Sequence, residues 1–132
     1  MWPASFWEKY EYFIRHSAGL GKSPKDKDPD IYDHRYIHCD VLVVGAGISG
    51  ILAAKNAAKN NLKTLLVDEK NELGGSTLFQ NEEFNKIENQ SSSEWLKNQI
   101  KELKDIKNLE VKVRTSVAAY HGYNYLLARE NL

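Results

Sequence analysis

The chain has 132 residues, a length that gives room for one domain with a modest hydrophobic core. Its 18 basic and 18 acidic residues cancel, so it lacks the basic surface of nucleic-acid or anionic-membrane binders, and we expect neither partner. It contains one cysteine, which excludes an internal disulfide framework, and its N-terminus lacks the features of a secretory signal, so we expect a cytoplasmic location.

The first predicted element is an aromatic helix over Ser5–Ala18. Its apolar side chains recur at helical spacing on one face: Phe6, Tyr10, Phe13 and Ile14. The polar, proline-containing stretch 21–30 follows and predicts a linker rather than a strand or a helix. We therefore expect residues 1–38 to form an N-terminal helix and linker, and residues 39–132 to form a separate domain.

A glycine-rich turn between two apolar runs is the strongest functional signal in the chain. Cys39–Val44 predicts a strand, and its continuous apolar run is typical of a central parallel strand buried on both faces. An alanine-rich amphipathic helix follows, and Leu62–Val67 predicts a second strand. The turn holds glycines at GxGxxG spacing: Gly45, Gly47 and Gly50. This order predicts an α/β fold with a Rossmann-like, FAD- or NAD(P)-binding βαβ unit.

Each residue of the turn has an expected task in holding a dinucleotide. Gly45 permits a tight exit from the strand, Gly47 lets the backbone approach a pyrophosphate, and Gly50 lets the helix pack closely on the strand. The free N–H groups and the positive dipole end of the helix favour phosphate at its N-terminus. We therefore include Ile48 and Ser49 among the cofactor-binding residues, and the Ser49 hydroxyl is a further candidate contact.

Two adjacent acids follow the second strand and are candidates for binding the adenosine ribose. Counting apolar positions back from Val67 favours Asp68, whereas counting residues from Gly45 allows Glu69. Asp68 is the main prediction, with Glu69 as its neighbour in the site. A carboxylate here accepts hydrogen bonds from ribose hydroxyls and repels a 2′-phosphate, which favours NAD or the ADP half of FAD over NADP.

A glycine pair, Gly74 and Gly75, follows a few residues later. After a βαβ unit, such a pair lets the chain cross close to the dinucleotide, whereas alone it would indicate only a flexible turn. Ser76 and Thr77 could reach a phosphate or ribose from this position.

The C-terminal third predicts one helix and two strands. Ser91 and Glu94 have the spacing of a capping box before a helix over Trp95–Asp105. The alternating pattern of Asn108–Ala118 predicts a strand, and Tyr123–Ala128 predicts a further one. A complete doubly wound sheet has additional strands, so we expect the dinucleotide-binding domain to be truncated.

Residues of metal-binding or nucleophilic type do not assemble a convincing site. His34 and His38 have a spacing that suits a metal only on a helix, and this segment leads into a strand. Cys39 has no positioned base. We expect neither a metal site nor a catalytic residue in this chain.

Three stretches together closely resemble the alpha subunit of heterotetrameric sarcosine oxidase. They read MWPASFWEKYEYFIRHSAGLG, DPDIYDHRYIHCDVLVVGAGISG and VDEKNELGG, and the later RTSVAAYHGYNYLLARE looks like the same family. The resemblance implies that the chain is the NAD-binding portion of that subunit. It carries over the NAD contacts to Gly45, Gly47, Gly50, Asp68, Glu69, Gly74 and Gly75.

The same resemblance implies the reaction and the partners of the whole complex. Such a complex oxidatively demethylates sarcosine to glycine, releases hydrogen peroxide and transfers the one-carbon unit to tetrahydrofolate. FAD in the beta subunit and FMN near the alpha–beta interface carry the redox chemistry, and gamma and delta subunits complete the assembly. Two alternatives stay open: an FAD-binding domain of another amine or pyridine-nucleotide oxidoreductase, and an inactive piece that only contacts other subunits.

Overall fold

The computed structural model describes residues 6–21, 26–27, 29–79, 86–87 and 89–131. The chain divides into two compact units, Met1–Tyr36 and Ile37–Leu132. Within the described residues, the first unit contains one helix and the second contains all of the strands.

Helix α1 (Trp7–Ser17) belongs to the first unit. It is shorter at both ends than the predicted Ser5–Ala18, and Ser5 lies outside the described residues. Gly19 follows it with φ +67°, the left-handed conformation with which glycine commonly ends a helix. The apolar side chains of the predicted face are exposed: Phe6, Tyr10, Phe13 and Ile14. No helix in the described part of the chain is long and apolar enough to cross a membrane.

The described part of the second unit contains two helices, seven strands and two 3-10 turns. The helices are α2 (Ile48–Lys59) and α3 (Ser92–Lys104). The strands are β1 (Val41–Val44), β2 (Thr64–Val67), β3 (Lys86–Ile87), β4 (Gln90–Ser91), β5 (Leu109–Lys112), β6 (Thr115–His121) and β7 (Tyr125–Glu130). The 3-10 turns span Gly75–Phe79 and Gly122–Asn124.

Three strands form a parallel sheet in the order β1-β2-β5, which confirms the predicted α/β class. Strand β2 pairs on both sides and all four of its residues are buried. Strand β1 lies at the edge of the described sheet, and Val44 at its end is 58% exposed. The prediction that β1 is the buried central strand is therefore wrong for this sheet. The apolar patterns of β1 and β2 do not show which strand is central. The pairing of β2 with β5, which is distant in sequence, puts β2 in the centre.

One buried cluster joins the sheet to α2 and α3. It contains Ile51 and Ala54 from α2, Leu66 from β2, and Trp95 and Leu103 from α3. These α2 residues recur at the 3.6-residue helical period and face the sheet as predicted. Leu52, by contrast, is 45% exposed because it lies one residue, about 100°, around the helix from Ile51.

Helix α3 begins at a capping serine, as the sequence predicts. The Ser91 hydroxyl accepts a hydrogen bond from the Glu94 backbone N–H at 3.2 Å. Because the cap is Ser91, α3 starts three residues before the predicted start at Trp95 and ends at Lys104. Trp95 is buried in the core.

The predicted strand over Asn108–Ala118 is divided into β5 and β6. Arg114 has φ +50° and donates its backbone N–H to the Lys70 carbonyl at 2.8 Å, which bends the chain out of the parallel sheet. Strand β6 then pairs antiparallel with β7. Strand β7 begins two residues later than predicted because Tyr123 and Asn124, with φ +60° and +56°, form the tip of the hairpin.

A lysine on α2 connects the two helices of the second unit. The Lys55 ammonium donates a hydrogen bond to the Gln99 side-chain oxygen at 2.8 Å and forms an ion pair with Glu102. The side chain of Lys55 is only 13% exposed. Its hydrogen bond and its charge lower the pKa of the Glu102 carboxyl from the ordinary value.

We expect Glu102→Gln to lower the melting temperature modestly at pH 7, because the lysine then keeps only a neutral partner. The folded-state pKa of Glu102 is lowered, so its stabilising contribution is present above the unfolded value, 4.5, and is lost as the pH falls through the folded value. Thermal unfolding between pH 7 and pH 3 checks this. The difference between wild type and variant should shrink with acid and with added salt, and a constant difference would contradict the assignment.

Candidate functional site

The parallel register brings the carboxyl ends of the three strands to one edge of the sheet. Val44 lies level with Val67, and Val67 lies level with Lys112. The glycine-rich turn leaves β1 at this edge, and the predicted acids leave β2 beside it. The structure thus brings together the two strongest sequence signals, the glycine-rich turn and the acids. Ligands of open α/β sheets bind at this edge.

The β1–α2 turn has the geometry that its three glycines were expected to provide. Gly45 has φ +98° and donates its N–H to the Val67 carbonyl at 2.8 Å. A Cβ at Gly50 would lie 1.9 Å from the Gly45 carbonyl oxygen, so only glycine allows α2 to pack this closely. A Cβ at Gly47 would meet no atom within 4 Å, and the turn is therefore open at this position.

Helix α2 begins at the open position of the turn. Gly47 is its N-cap and has no side chain to cap the helix. The first N–H groups of an α-helix have no partners within the helix, which makes them donors for a ligand. Ile48 is half-buried and Ser49 is exposed, so the Ser49 hydroxyl is accessible from solvent.

All of the polar groups of Asp68 form hydrogen bonds with the backbone. One carboxylate oxygen accepts the Ala46 N–H at 2.6 Å, and the other accepts the Lys70 N–H at 2.8 Å. Its backbone N–H donates to the Lys112 carbonyl at 2.9 Å, and its carbonyl accepts the Thr115 N–H at 2.7 Å. The residue therefore joins the ends of β1, β2 and β5 and the start of β6.

The two candidate acids lie in different environments. Asp68 is 8% exposed, and each of its carboxylate oxygens retains a second lone pair for a further hydrogen bond. Glu69 is exposed. Asp68 thus stabilises the fold in addition to its predicted contact with a ribose. The exposed Glu69 side chain can contact only a ligand that approaches from solvent.

The glycine pair packs against the turn on one side and against α3 on the other. Gly74 donates its N–H to the Ala46 carbonyl at 2.8 Å, and its Cβ position lies 2.5 Å from a methyl group of Leu96. A Cβ at Gly75 would lie 3.1 Å from the Gly47 Cα. Ser76 follows and is exposed. The pair therefore supports the glycine-rich turn.

Ala46 is a central residue of the site that sequence reasoning missed. It is fully buried, its N–H bonds to Asp68, and its carbonyl accepts the Gly74 N–H. Both contacts use the backbone, so the residue type gives little signal. The available clue is that a small residue stands between two glycines.

The residues considered for metal binding or nucleophilic chemistry do not form a site. His34 and His38 are exposed, and residues 29–39 form no helix. Within the described ranges, no group of three or more His, Cys, Asp or Glu side chains could hold a metal ion. Partial burial raises the pKa of the Cys39 thiol, which disfavours the nucleophilic thiolate.

Three features that could hold a dinucleotide lie at this edge of the sheet. The position beside Gly47 is open, α2 begins there, and carboxylates follow the neighbouring strand. The N–H groups at a helix N-terminus can bind a phosphate, and a carboxylate can accept hydrogen bonds from ribose hydroxyls.

The chain is similar to known oxidoreductases. The family model for FAD dependent oxidoreductases matches residues 40–121. The sarcosine oxidase subunit alpha of Rhizobium meliloti (strain 1021) is 38% identical over 133 residues, covering 100% of this chain and 13% of the relative. That of Corynebacterium sp. (strain P-1) is 36% identical over 110 residues, covering 83% and 11%. These similarities confirm the resemblance seen in the sequence, although the chain spans only a small part of either relative.

Among solved structures, L-proline dehydrogenase from P. horikoshii has a TM-score of 0.58 at 23% identity. The match covers 74% of this chain and 20% of that one. This similarity supports the α/β fold of the chain.

Gly50→Ala should destabilise the fold strongly, because the added methyl group meets backbone rather than a movable side chain. We expect a loss of at least about 1–3 kcal/mol, the usual cost of overpacking a tight contact. Gly122→Ala is the matched control, since its Cβ would meet no atom within 4 Å. Urea unfolding of both variants checks this, and equal stabilities would contradict the close packing of α2.

Asp68→Asn should lower stability even without any ligand. An amide side chain offers one acceptor oxygen, so one of the two backbone N–H groups now held by the carboxylate loses its partner. The expected cost is about 1–3 kcal/mol for an unsatisfied buried donor. Glu69→Gln should leave stability unchanged because Glu69 is exposed. If chemical denaturation gives the two variants the same free energy of unfolding, the Asp68 carboxylate does not stabilise the strand ends.

Proposed function

The chain belongs to the FAD-dependent oxidoreductase family, and from this premise we propose that the β1–α2 turn binds the ADP half of an adenine dinucleotide. The open position beside Gly47 carries this proposal. A Cβ at Gly47 would meet no protein atom, so the fold does not require glycine at this position. The glycine is therefore attributed to the close approach of a ligand. The pyrophosphate takes this position.

The N-terminus of α2 supplies the attraction for the pyrophosphate. Its first N–H groups, including those of Ile48 and Ser49, donate hydrogen bonds, and the helix dipole adds a partial positive charge. The exposed Ser49 hydroxyl is an additional donor. The glycine pair supports the turn through the bond from Gly74 to Ala46 and the packing of Gly75 on Gly47, and Ser76 is exposed next to it.

The ribose interacts with the acids after β2. Asp68 accepts a ribose hydroxyl with its remaining lone pairs while its other bonds hold the turn. Glu69 places a second negative charge close by, which opposes the 2′-phosphate of NADP.

NAD is the proposed resident dinucleotide, and FAD is the alternative. The ADP half is common to both, so the described contacts suit either. The similarity to sarcosine oxidase alpha subunits, from which NAD was expected, favours NAD, whereas the family model favours FAD. The bound dinucleotide would supply any redox chemistry, and the residues of this chain bind and orient its ADP half.

The proposed setting is the alpha subunit of a sarcosine oxidase in the cytoplasm. The whole complex would demethylate sarcosine to glycine, release hydrogen peroxide and transfer the one-carbon unit to tetrahydrofolate, together with beta, gamma and delta subunits. The support is the alignment of the whole chain with such an alpha subunit. In this setting the described residues contribute binding and no catalytic group.

Gly47→Ala tests the binding site without disturbing the fold. Its φ of −70° suits any residue and its Cβ would meet no atom, so stability should fall by at most about 1 kcal/mol, the cost of alanine at an N-cap. The added methyl group would stand where the pyrophosphate lies. Titration calorimetry with ADP and NAD should show affinity at least about tenfold weaker, which corresponds to about 1.4 kcal/mol.

Gly122→Ala serves again as the control and should bind like the wild type. If Gly47→Ala binds ADP as tightly as the wild type does, the pyrophosphate does not lie at this turn. Titration of the wild type with FAD and NADP completes the experiment. Tighter binding of FAD than of NAD would identify FAD, rather than NAD, as the resident dinucleotide.

A further inference from the structure

A lysine and a phenylalanine meet beside the proposed ribose contact. The ammonium group of Lys70 lies 5.0 Å from the centre of the Phe79 ring, which is the geometry of a cation–π contact. Between Asp68 and Phe79 the sequence has one basic residue and one aromatic residue, and they are these two. The contact joins the loop after β2 to the end of the 3-10 turn Gly75–Phe79.

The backbone of Lys70 is fixed by hydrogen bonds on both sides. Its N–H donates to the Asp68 carboxylate at 2.8 Å, and its carbonyl accepts the Arg114 N–H at 2.8 Å. Asp68 is the acid proposed to contact the ribose, so Lys70 is held two residues away from that contact. The cation–π contact keeps the Phe79 ring close to the same loop.

Most of the Phe79 ring is open to solvent. The residue is 77% exposed. The lysine ammonium lies over one face of the ring, so the opposite face is accessible. An open aromatic face beside a nucleotide site is a surface on which a planar base can stack.

We propose that the adenine base of the dinucleotide stacks on the open face of Phe79, while Lys70 holds the ring from the other face. The base is joined directly to the ribose, so it lies close to the loop that carries Asp68 and Lys70. This inference rests on the proposed dinucleotide site and adds a contact for the base, which the glycine-rich turn and the acids do not supply. Phe79 touches the ligand, and Lys70 is a positioning residue that acts through Phe79.

Substitutions of Phe79 test the stacking directly. Calorimetric titration of the full chain with ADP should show about five- to a hundredfold weaker binding for Phe79→Ala, the usual effect of one lost base–aromatic contact. Phe79→Trp keeps an aromatic ring and should bind ADP like the wild type. ADP should also quench the fluorescence that this variant has in addition to that of the three native tryptophans. Inorganic pyrophosphate, which has no base, should not quench it.

Lys70→Met tests the positioning role. This change removes the charge and keeps an unbranched side chain, so ADP binding should weaken by about two- to fivefold, the usual value of an exposed cation–π contact. In the Phe79→Ala background the same change should have no further effect, because Lys70 acts through the ring. An equal effect in both backgrounds would show that Lys70 acts on the nucleotide itself and would contradict its positioning role.

Tyr120→Ala is the control for loss of an exposed aromatic side chain. Tyr120 is 68% exposed and lies on β6, five residues beyond Thr115, so this variant should bind ADP like the wild type. Because Phe79 is also exposed, Phe79→Ala should keep the melting temperature of the wild type, and its weaker binding would not reflect unfolding. The proposal is overturned if Phe79→Ala binds ADP as tightly as the wild type, or if ADP leaves the fluorescence of Phe79→Trp unchanged. A wild type that does not bind ADP would instead contradict the dinucleotide site itself, and this inference with it.

Discussion

The hydrogen bonds of Asp68 fix the relation between the three parallel strands and the turn above them. Its carboxylate accepts two backbone N–H groups while its own backbone pairs with the ends of β5 and the start of β6. Hydrogen bonds to a charged acceptor are stronger than neutral ones, and burial strengthens them further. The position of Ala46, and with it the path of the glycine-rich turn, follows from this one side chain.

The same carboxylate explains why the glycine pair lies where it does. Ala46 is held by Asp68 through its N–H and holds Gly74 through its carbonyl. Gly75 can then approach Gly47 closely because Gly75 has no side chain, whose Cβ would lie 3.1 Å from the Gly47 Cα. The 3-10 turn that follows packs against α3.

The sequence was sufficient for the βαβ unit because that unit is local. Gly45, Gly50 and the apolar runs on either side specify a strand, a tight turn and a closely packed helix within about 30 residues. Ser91 specifies the start of α3 for the same reason, since its contact is three residues away. The glycine turn and the following acids lie at the same edge of the sheet, as the order strand, turn, helix and strand predicts.

Features that depend on distant pairing escaped prediction. The central position of β2 depends on β5, which lies more than 40 residues away in sequence. The bend at Arg114 follows from its bond to Lys70, and no alternation of side chains signals it. The structural task of Asp68 was hidden because its partners are backbone N–H groups, which every residue but proline has.

The residues of the proposed site bind a cofactor and supply no reacting group. The open position beside Gly47, the start of α2 and the two acids are suited to hold an ADP group, and none of them needs to react. A crystal structure of the chain with NAD tests it most directly: the account predicts the pyrophosphate within hydrogen-bond distance of the first N–H groups of α2, next to Gly47. A pyrophosphate bound elsewhere on the protein, with the turn unoccupied, would contradict it.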